Sequence, residues 1–132
     1  MKQASLFLNT ILNHTHSVKS TCGKRIYPLV APAGVPGFPF ATYEHQSRPG
    51  NGTKDGTKRE IYAIFSIVGK TALEVEDIAD GILPAMYSYC EDPDLNDFSE
   101  VFSEPDFEKE EEVYNDRIDA YIVRVHINFE TI

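Results

Sequence analysis

The sequence predicts an α+β fold: a mostly antiparallel sheet of about four strands, two helices packed on one face, and one long hairpin loop. Three segments indicate this fold. Residues 60–68 are almost continuously apolar and rich in β-branched and aromatic side chains, which is typical of a central strand. Residues 118–130 alternate between apolar and polar side chains, which predicts a second long strand, whereas residues 72–86 repeat apolar side chains at helical spacing.

Length and composition fit a single domain over residues 1–132, and the hydrophobic content of 42% is enough for a core. No apolar run approaches the roughly 18 residues that a membrane span needs, and Asn9 and Asn13 interrupt the first apolar run too early for a signal peptide. Cys22 and Cys90 are too few for a disulfide framework, so we expect free thiols in a reducing cytosol. We therefore expect a cytoplasmic protein without a membrane partner.

Charge is divided unevenly along the chain, whose net charge is −9. Residues 1–70 carry nine Lys and Arg against three Asp and Glu, whereas residues 71–132 carry three against eighteen. Such a protein can pair head to tail with copies of itself, and contacts of this kind close into rings or extend into filaments. The alternative is two solvated faces of a monomer. The overall acidity argues against general nucleic-acid binding.

The first predicted element is a helix over residues 3–14, where apolar side chains recur at helical spacing: Ala4, Phe7, Leu8, Ile11 and Leu12. A short strand is expected over residues 24–30. Its Pro28 indicates a sheet edge or a strand end, because proline cannot donate to a ladder. After a turn-rich connection over residues 31–37, a second strand is expected over residues 38–45.

Residues 46–58 contain three glycines and no apolar side chain, so we predict a mobile loop that forms the tip of a long hairpin. The strand that follows, residues 60–68, is apolar on both faces. We therefore expect it to be central and covered by helices.

The second predicted helix begins with Thr71 as its N-cap and Glu74 at capping-box spacing. Its buried stripe consists of Val75, Ile78, Ala79, Ile82 and Met86. Pro84 predicts a kink or break near Leu83. Residues 91–112 are strongly acidic and are expected to form a partly irregular insertion, with a short strand around 99–103 and a solvated run over 108–112.

A family resemblance rests on the order of these segments. A helix leads into Gly23-Lys24-Arg25-Ile26-Tyr27-Pro28, and a proline precedes the aromatic-rich strand within residues 36–43. A Gly- and Thr-rich loop leads to a long strand over residues 52–68, followed by the acidic and aliphatic helix over residues 71–83. The last strand carries Arg117, Asp119 and Tyr121. In this order the chain, apart from about residues 90–112, resembles the tail-completion, or tail-terminator, proteins of long-tailed phages and prophages.

The resemblance implies an assembly role in head–tail joining. Such proteins form a ring, often a hexamer, at the head-proximal end of the tail tube. The ring stops tube polymerisation and gives the head-completion protein a docking surface. The implied partners are therefore further copies of the chain, the tail-tube protein and the head-completion protein, with DNA only as passing cargo. The implied location is the host cytoplasm during assembly and the virion tail afterwards. The resemblance implies no catalysis and no cofactor.

Candidate contact residues follow from the charge pattern. Four basic side chains surround the predicted hairpin loop: Arg48, Lys54, Lys58 and Arg59. They would face DNA in a ring lumen or an acidic patch on the next subunit, for which the candidates are Glu108, Glu110, Glu111 and Glu112. The alternative is a solubilising hairpin tip, and the sequence does not separate the two.

Other kinds of site have weaker support. His14 and His16 lack a further metal ligand at a known spacing, and Cys22 lies near lysines but has no histidine partner. The glycine-rich loop over residues 50–56 does not have the Gly-Lys-Ser/Thr ending of a phosphate-binding loop, and the carboxylates of 91–112 do not fit an EF-hand. We therefore predict no catalytic residue, metal or cofactor. The rival functions are a non-viral protein-interaction module, such as an adaptor or regulator, and a small-molecule-binding α+β domain.

Overall fold

The computed structural model describes residues 2–29, 37–49 and 58–132. These residues form four helices: α1 Lys2–Asn13, α2 His16–Cys22, α3 Ala72–Asp80 and α4 Ile82–Glu91. They also form five strands: β1 Ile26–Pro28, β2 Phe40–Pro49, β3 Arg59–Gly69, β4 Asp106–Asn115 and β5 Ala120–Glu130. None of the helices among the described residues is long and apolar enough to cross a membrane.

The five strands form one sheet in the order β1-β2-β3-β5-β4. The β1–β2 pair is parallel and the other three pairs are antiparallel, which confirms the predicted α+β class with one strand more than expected. The register aligns one residue from each strand in a single row across the sheet: Ile26, Ala41, Ile67, Val123 and Glu112. As predicted from Pro28, β1 is a short strand at the sheet edge.

The helices and one face of the sheet enclose the main core. The apolar patterns of β3, of the helix pair α3 and α4, and of β5 meet in one buried cluster, which includes Phe65, Ile78, Ile82, Val123, Val125 and Ile127. α1 and α2 lie over β1 and β2, whereas α3 lies over β3 and β5. The predicted central position of β3 is confirmed, but the helices cover one of its faces only. On the opposite face Tyr62, Ile64 and Ser66 are half-buried, and this side is called the open face below.

The helical segments are divided differently from the prediction. The first predicted helix ends at Asn13, and a second helix, α2, follows where the sequence predicted no element. The long helix breaks at Gly81, two residues before the predicted break at Leu83. Pro84 is accommodated in the first turn of α4, where backbone amides have no intrahelical acceptor. The predicted cap is present, since Thr71 Oγ1 accepts a hydrogen bond from the Glu74 amide at 3.2 Å.

The acidic segment is more regular than predicted. The strand expected around residues 99–103 is wrong: turns occupy this stretch and Phe102 makes one isolated bridge to Thr131. Phe102 is buried against the rings of Phe7 and Phe129, at centroid distances of 5.2 and 5.1 Å, which anchors the segment to the core. The strand is instead β4, which contains the acidic run and exposes most of its side chains, as the prediction of a solvated run required.

The predicted hairpin is confirmed, since β2 and β3 pair in antiparallel register from Phe40 with Val68 to Pro49 with Arg59. Residues 46–49, which were expected in the loop, belong to β2. The remainder of the predicted loop, residues 50–57 with Lys54, lies outside the described residues, so its mobility stays a prediction.

Candidate functional site

A polar network crosses the open face of the sheet. His126 of β5, only 5% exposed, lies between Tyr62 of β3 and Glu111 of β4. Its Nε2 is 2.7 Å from Glu111 Oε1, and its Nδ1 is 2.7 Å from the Tyr62 hydroxyl. Because the carboxylate can only accept, Nε2 donates to Glu111, and the hydroxyl donates to Nδ1 when the imidazole is neutral. The hydrogen bond from His126 lowers the pKa of the Glu111 carboxyl.

This network joins three strands through side chains. Both ring nitrogens of His126 are engaged within the chain, as a buried polar group requires. The arrangement therefore stabilises the outer half of the sheet, where β4 adds little apolar burial of its own.

The basic residues predicted near the hairpin are in part already paired. Arg48 Nη2 donates to Glu60 Oε1 at 2.8 Å, and this ion pair lowers the pKa of Glu60. Arg59 reaches Ser47 Oγ at 3.5 Å, whereas Lys58 is exposed. Lys54 lies outside the described residues. Lys58 and Arg59 are therefore exposed at the base of the hairpin, whereas Arg48 is held in an ion pair with Glu60 on the neighbouring strand.

The four predicted acidic residues separate onto the two faces of β4. Glu111 and Glu108 lie on the open face, where Glu108 Oε2 accepts from Asn128 Nδ2 at 3.3 Å. Arg48 and Glu108 line the same depression of about 360 Å³, so the structure brings one predicted basic residue and one predicted acidic residue together within a single chain.

The other two acidic residues lie on the helix side of the sheet. Glu112 and Glu110 pair in register with Val123 and Val125, whose side chains belong to the core under the helices. They meet Glu76 and Asp80 of α3 around a depression of about 260 Å³, the acidic groove, which Glu111 and Val123 also line. Glu112, through a hydrogen bond and its charge, raises the pKa of Glu76. The sequence did not indicate Glu76 and Asp80 as partners, because β4 was not placed beside α3.

A depression of opposite charge lies at the other edge of the sheet. It measures about 490 Å³ and is lined by Asn9, Asn13, Lys19, Gly23, Lys24 and Ile26. Its two lysines are exposed. Sequence reasoning missed this basic groove. Lys19 lies within α2 and Lys24 lies between α2 and β1, so correct placement of α2 would have indicated it.

The remaining candidates are explained by packing. No group of three or more His, Cys, Asp or Glu suited to a metal occurs within residues 2–29, 37–49 and 58–132. His14 stacks near Tyr89, with ring centroids 4.7 Å apart. Burial raises the pKa of the Cys22 thiol, which opposes activation, and raises that of Cys90 to about 12.

A depression on the open face bears on the small-molecule alternative. It is lined by Leu29, Glu44, His45, Gln46, Tyr62 and Ile64 and measures about 190 Å³. Ligand pockets usually enclose about 300–1,000 Å³ and are mostly apolar, so this depression is small for a metabolite. The depressions at Arg48 and at Lys19 are larger but are lined mainly by polar and charged side chains.

Comparison with known proteins identifies the fold. No protein-family model matches the chain, and no curated protein matches it. Among solved structures the same fold occurs in a virion. A chain of the virion of the native gene transfer agent (GTA) particle superposes with a TM-score of 0.66, and the alignment covers 96% of this chain and 92% of the GTA chain. Sequence identity is 10%, so the likeness to the GTA chain establishes the shared fold.

Proposed function

We propose that this protein is a structural component of a phage or prophage virion, and specifically the tail-completion protein. In this role it forms a ring at the head-proximal end of the tail tube, stops tube polymerisation and joins the tail to the head. The observation that carries the proposal is the fold shared with the GTA chain over nearly the full length of both chains. The sequence order that resembles tail-completion proteins supports it independently.

The physical basis of this role is capping. A subunit that binds the growing end of a polymer, but presents a different surface outward, blocks the addition of the next subunit. One side of the ring would contact the tail-tube protein and the other the head-completion protein. This requires a rigid domain with distinct surfaces, for which a five-stranded sheet under a helix layer is suited. We assign no catalytic step and no cofactor to the role.

The location and the route of DNA follow from the same role. Assembly would take place in the cytoplasm of a bacterial host, and the finished ring would remain in the virion tail. DNA would pass through the ring only as cargo. Arg48, Lys58 and Arg59 at the β2–β3 hairpin, with Lys54 in its loop, are candidates for the lumen or for a neighbouring subunit.

The experiment is deletion of the gene from its phage or prophage, with particles examined by electron microscopy after induction. We expect heads without tails and free tail tubes of uncontrolled length, because the end of the tube is no longer capped. Wild-type protein supplied from a plasmid should restore tails of uniform length. A variant with an unpaired charge in the core, such as Phe65→Asp, serves as the unfolded control and should not restore them.

Normal tails in the deletion strain would contradict the tail-completion role. The neighbouring genes give a second, independent test. Genes for tail-tube and head-completion proteins beside this one are expected, whereas a metabolic or regulatory operon would favour the non-viral interaction module.

A further inference from the structure

Two grooves of opposite charge lie at opposite edges of the sheet. The acidic groove lies between α3 and β4, and the basic groove lies between the α1–α2 pair and β1. In the strand order, β4 and β1 are the two outermost strands. Both grooves open on the helix side of the sheet, because Glu110 and Glu112 pair with core-facing residues of β5 and the basic groove is lined by the two N-terminal helices.

The two grooves also lie at the same height along the strands. Ile26 lines the basic groove and Glu112 lines the acidic groove, and both belong to the single row that crosses the sheet through Ala41, Ile67 and Val123. Four strand spacings of about 4.8 Å separate the two ends of this row by about 19 Å. A neighbouring copy placed edge to edge, and rotated to follow the twist of the sheet, can therefore bring its basic groove to the acidic groove without a shift along the strands.

The acidic groove carries carboxylates without basic partners inside the described part of the chain. The ion pairs among the described residues are Arg48 with Glu60 and His126 with Glu111, so Glu111 is the only one of the five carboxylates lining the groove that is paired. Four are left without a basic partner in that part of the chain. These four groups are Glu76, Asp80, Glu110 and Glu112. Like charges gathered around one depression repel one another. In keeping with this, the hydrogen bond with Glu112 and the charges of Glu112 and Asp80 raise the pKa of Glu76. An arriving cation would relieve this repulsion.

The charge also determines which symmetry of contact is favoured. Two copies that met through their β4 edges would place like charges opposite each other, which is destabilising. Contact between the β4 edge of one copy and the β1 edge of another instead brings opposite charges together. Such a contact uses two different surfaces, so it can continue around a ring.

We propose that copies of this chain associate edge to edge, with Lys19 and Lys24 of one copy entering the acidic groove of the next. The inference names the surfaces that join subunits of the proposed ring, and in that sense it rests on the proposed function. It differs from the expectation drawn from the sequence, because the basic partner lies at the α2–β1 corner and not at the hairpin with Lys58 and Arg59.

Charge reversal with complementation tests this contact. The basic-edge variant carries Lys19→Glu and Lys24→Glu. The acidic-edge variant carries Glu76→Lys, Glu110→Lys and Glu112→Lys, which outweigh the remaining groove carboxylates and make the groove net positive. Each alone has two edges of the same sign, so its self-association should weaken by roughly tenfold or more relative to wild type. An equimolar mixture should recover association, because every contact then joins opposite charges. The measurement is sedimentation velocity of the full chain over a concentration series.

The matched control is Lys2→Glu with Arg117→Glu, which changes net charge as much as the basic-edge variant does but at exposed positions outside both grooves. It should associate like wild type. A mixture that stays monomeric would overturn the inference, whether or not the wild type associates. The same conclusion follows if Lys58→Glu with Arg59→Glu abolishes association while the basic-edge variant retains it.

The outcomes separate this inference from the proposed function. The deletion strain tests tail completion, and the sedimentation series tests the contact. Uncapped tails in the deletion strain together with no effect of groove charge would overturn the contact alone. Normal tails in the deletion strain, together with recovered association in the mixture of the two charge-reversed variants, would overturn the tail-completion role and retain the contact.

Discussion

At the scale of single residues, the chain stabilises its outer strands with polar side chains. β4 contributes few apolar side chains to the core. Instead, Glu111 of β4 accepts a hydrogen bond from His126 of β5, which in turn contacts Tyr62 of the next strand, β3. Hydrogen bonds to charged groups are among the stronger ones, and a partly buried donor strengthens them further. We therefore regard this triad as the main side-chain attachment of β4 on the open face.

The Glu111 carboxylate should make stability depend on pH. The hydrogen bond from His126 lowers the pKa of the Glu111 carboxyl in the folded chain. The carboxylate therefore stabilises the fold fully at pH values above the pKa that this carboxyl has in the unfolded chain, and the effect is lost as pH falls through its pKa in the folded chain. Glu111→Gln should therefore lower the free energy of unfolding near neutral pH and have no effect in acid. Urea denaturation at several pH values measures this. Glu110→Gln, on the other face of β4, is the control, and an equal pH profile for both variants would contradict the assignment.

The central strand gives a second prediction at residue scale. Phe65 is fully buried in the main core, so Phe65→Ala should cost about 3–5 kcal/mol by loss of apolar contact and creation of a cavity. Leu73 of α3 is the control because it is 73% exposed, and Leu73→Ala should stay within about 0.5 kcal/mol of wild type. Thermal and urea unfolding measure both. Equal losses for the two variants would contradict the burial pattern.

At the scale of elements, Gly81 is the joint between α3, α4 and α2. Ser17 of α2 donates from Oγ to the Ile78 carbonyl at 2.8 Å, at the end of α3. A Cβ at Gly81 would clash with the Ser17 side chain. The glycine is therefore required for the approach of α2 and not for its backbone angles, since its φ of −80° is open to any residue.

Gly81→Ala should accordingly destabilise the protein, although alanine usually stabilises such positions. Overpacking costs about 1–3 kcal/mol, which exceeds the roughly 0.4–1 kcal/mol that reduced freedom of the unfolded chain contributes. In the Ser17→Gly background, where the clashing atoms are absent, the same substitution should be neutral or stabilising. A double-mutant cycle by urea denaturation measures the coupling. Additive effects would show that Ser17 is not the cause.

Elements with a clear apolar pattern were predictable from the sequence. β3 is almost continuously apolar, β5 alternates, and α3 and α4 share one helical stripe. Burial follows the alternation of β5 and the stripe of the two helices. β4 was missed because most side chains on both of its faces are exposed, so no alternation marks it. α2 was missed because its polar residues lower helix propensity, and packing of Val18 and Cys22 compensates.

The candidate site was predictable only in part, for the same reason. The acidic run was correctly expected to be exposed, but its division between two faces depends on the register of β4 with β5. The pairing of Glu112 with Glu76 joins residues far apart in sequence, and nothing local indicates it. Likewise, Lys19 and Lys24 form one groove only because α2 packs beside β1.

At the scale of the whole molecule, the hairpin loop should be separable from the fold. β2 and β3 pair up to Pro49 and Arg59, and Arg59 directs its backbone N–H and C=O away from β2, to Thr131. The next pair outward is therefore the hydrogen-bonded one, so a two-residue Asn-Gly turn in place of residues 51–57 can close the hairpin between positions 50 and 58 without disturbing the pairs below it. Unfolding free energy should stay near the wild-type value, whereas tail joining should be lost if the loop contacts DNA or a neighbour. Denaturation and plasmid complementation measure the two effects. Loss of folding would show that the loop supports the core.

The last prediction concerns how assembly responds to salt. Every copy has a net charge of −9, so copies repel one another at long range while the two grooves attract at short range. The molecule has a radius of gyration of about 14 Å, and the screening length falls from about 30 Å at 0.01 M salt to 8 Å at 0.15 M and 3 Å at 1 M. Association should first strengthen with salt, as long-range repulsion is screened, and then weaken as the groove contacts are screened. Sedimentation of the wild-type protein across a sodium chloride series measures this, with the basic-edge variant as control. Association that rises steadily to 1 M would show that apolar contacts, and not the charged grooves, hold the copies together.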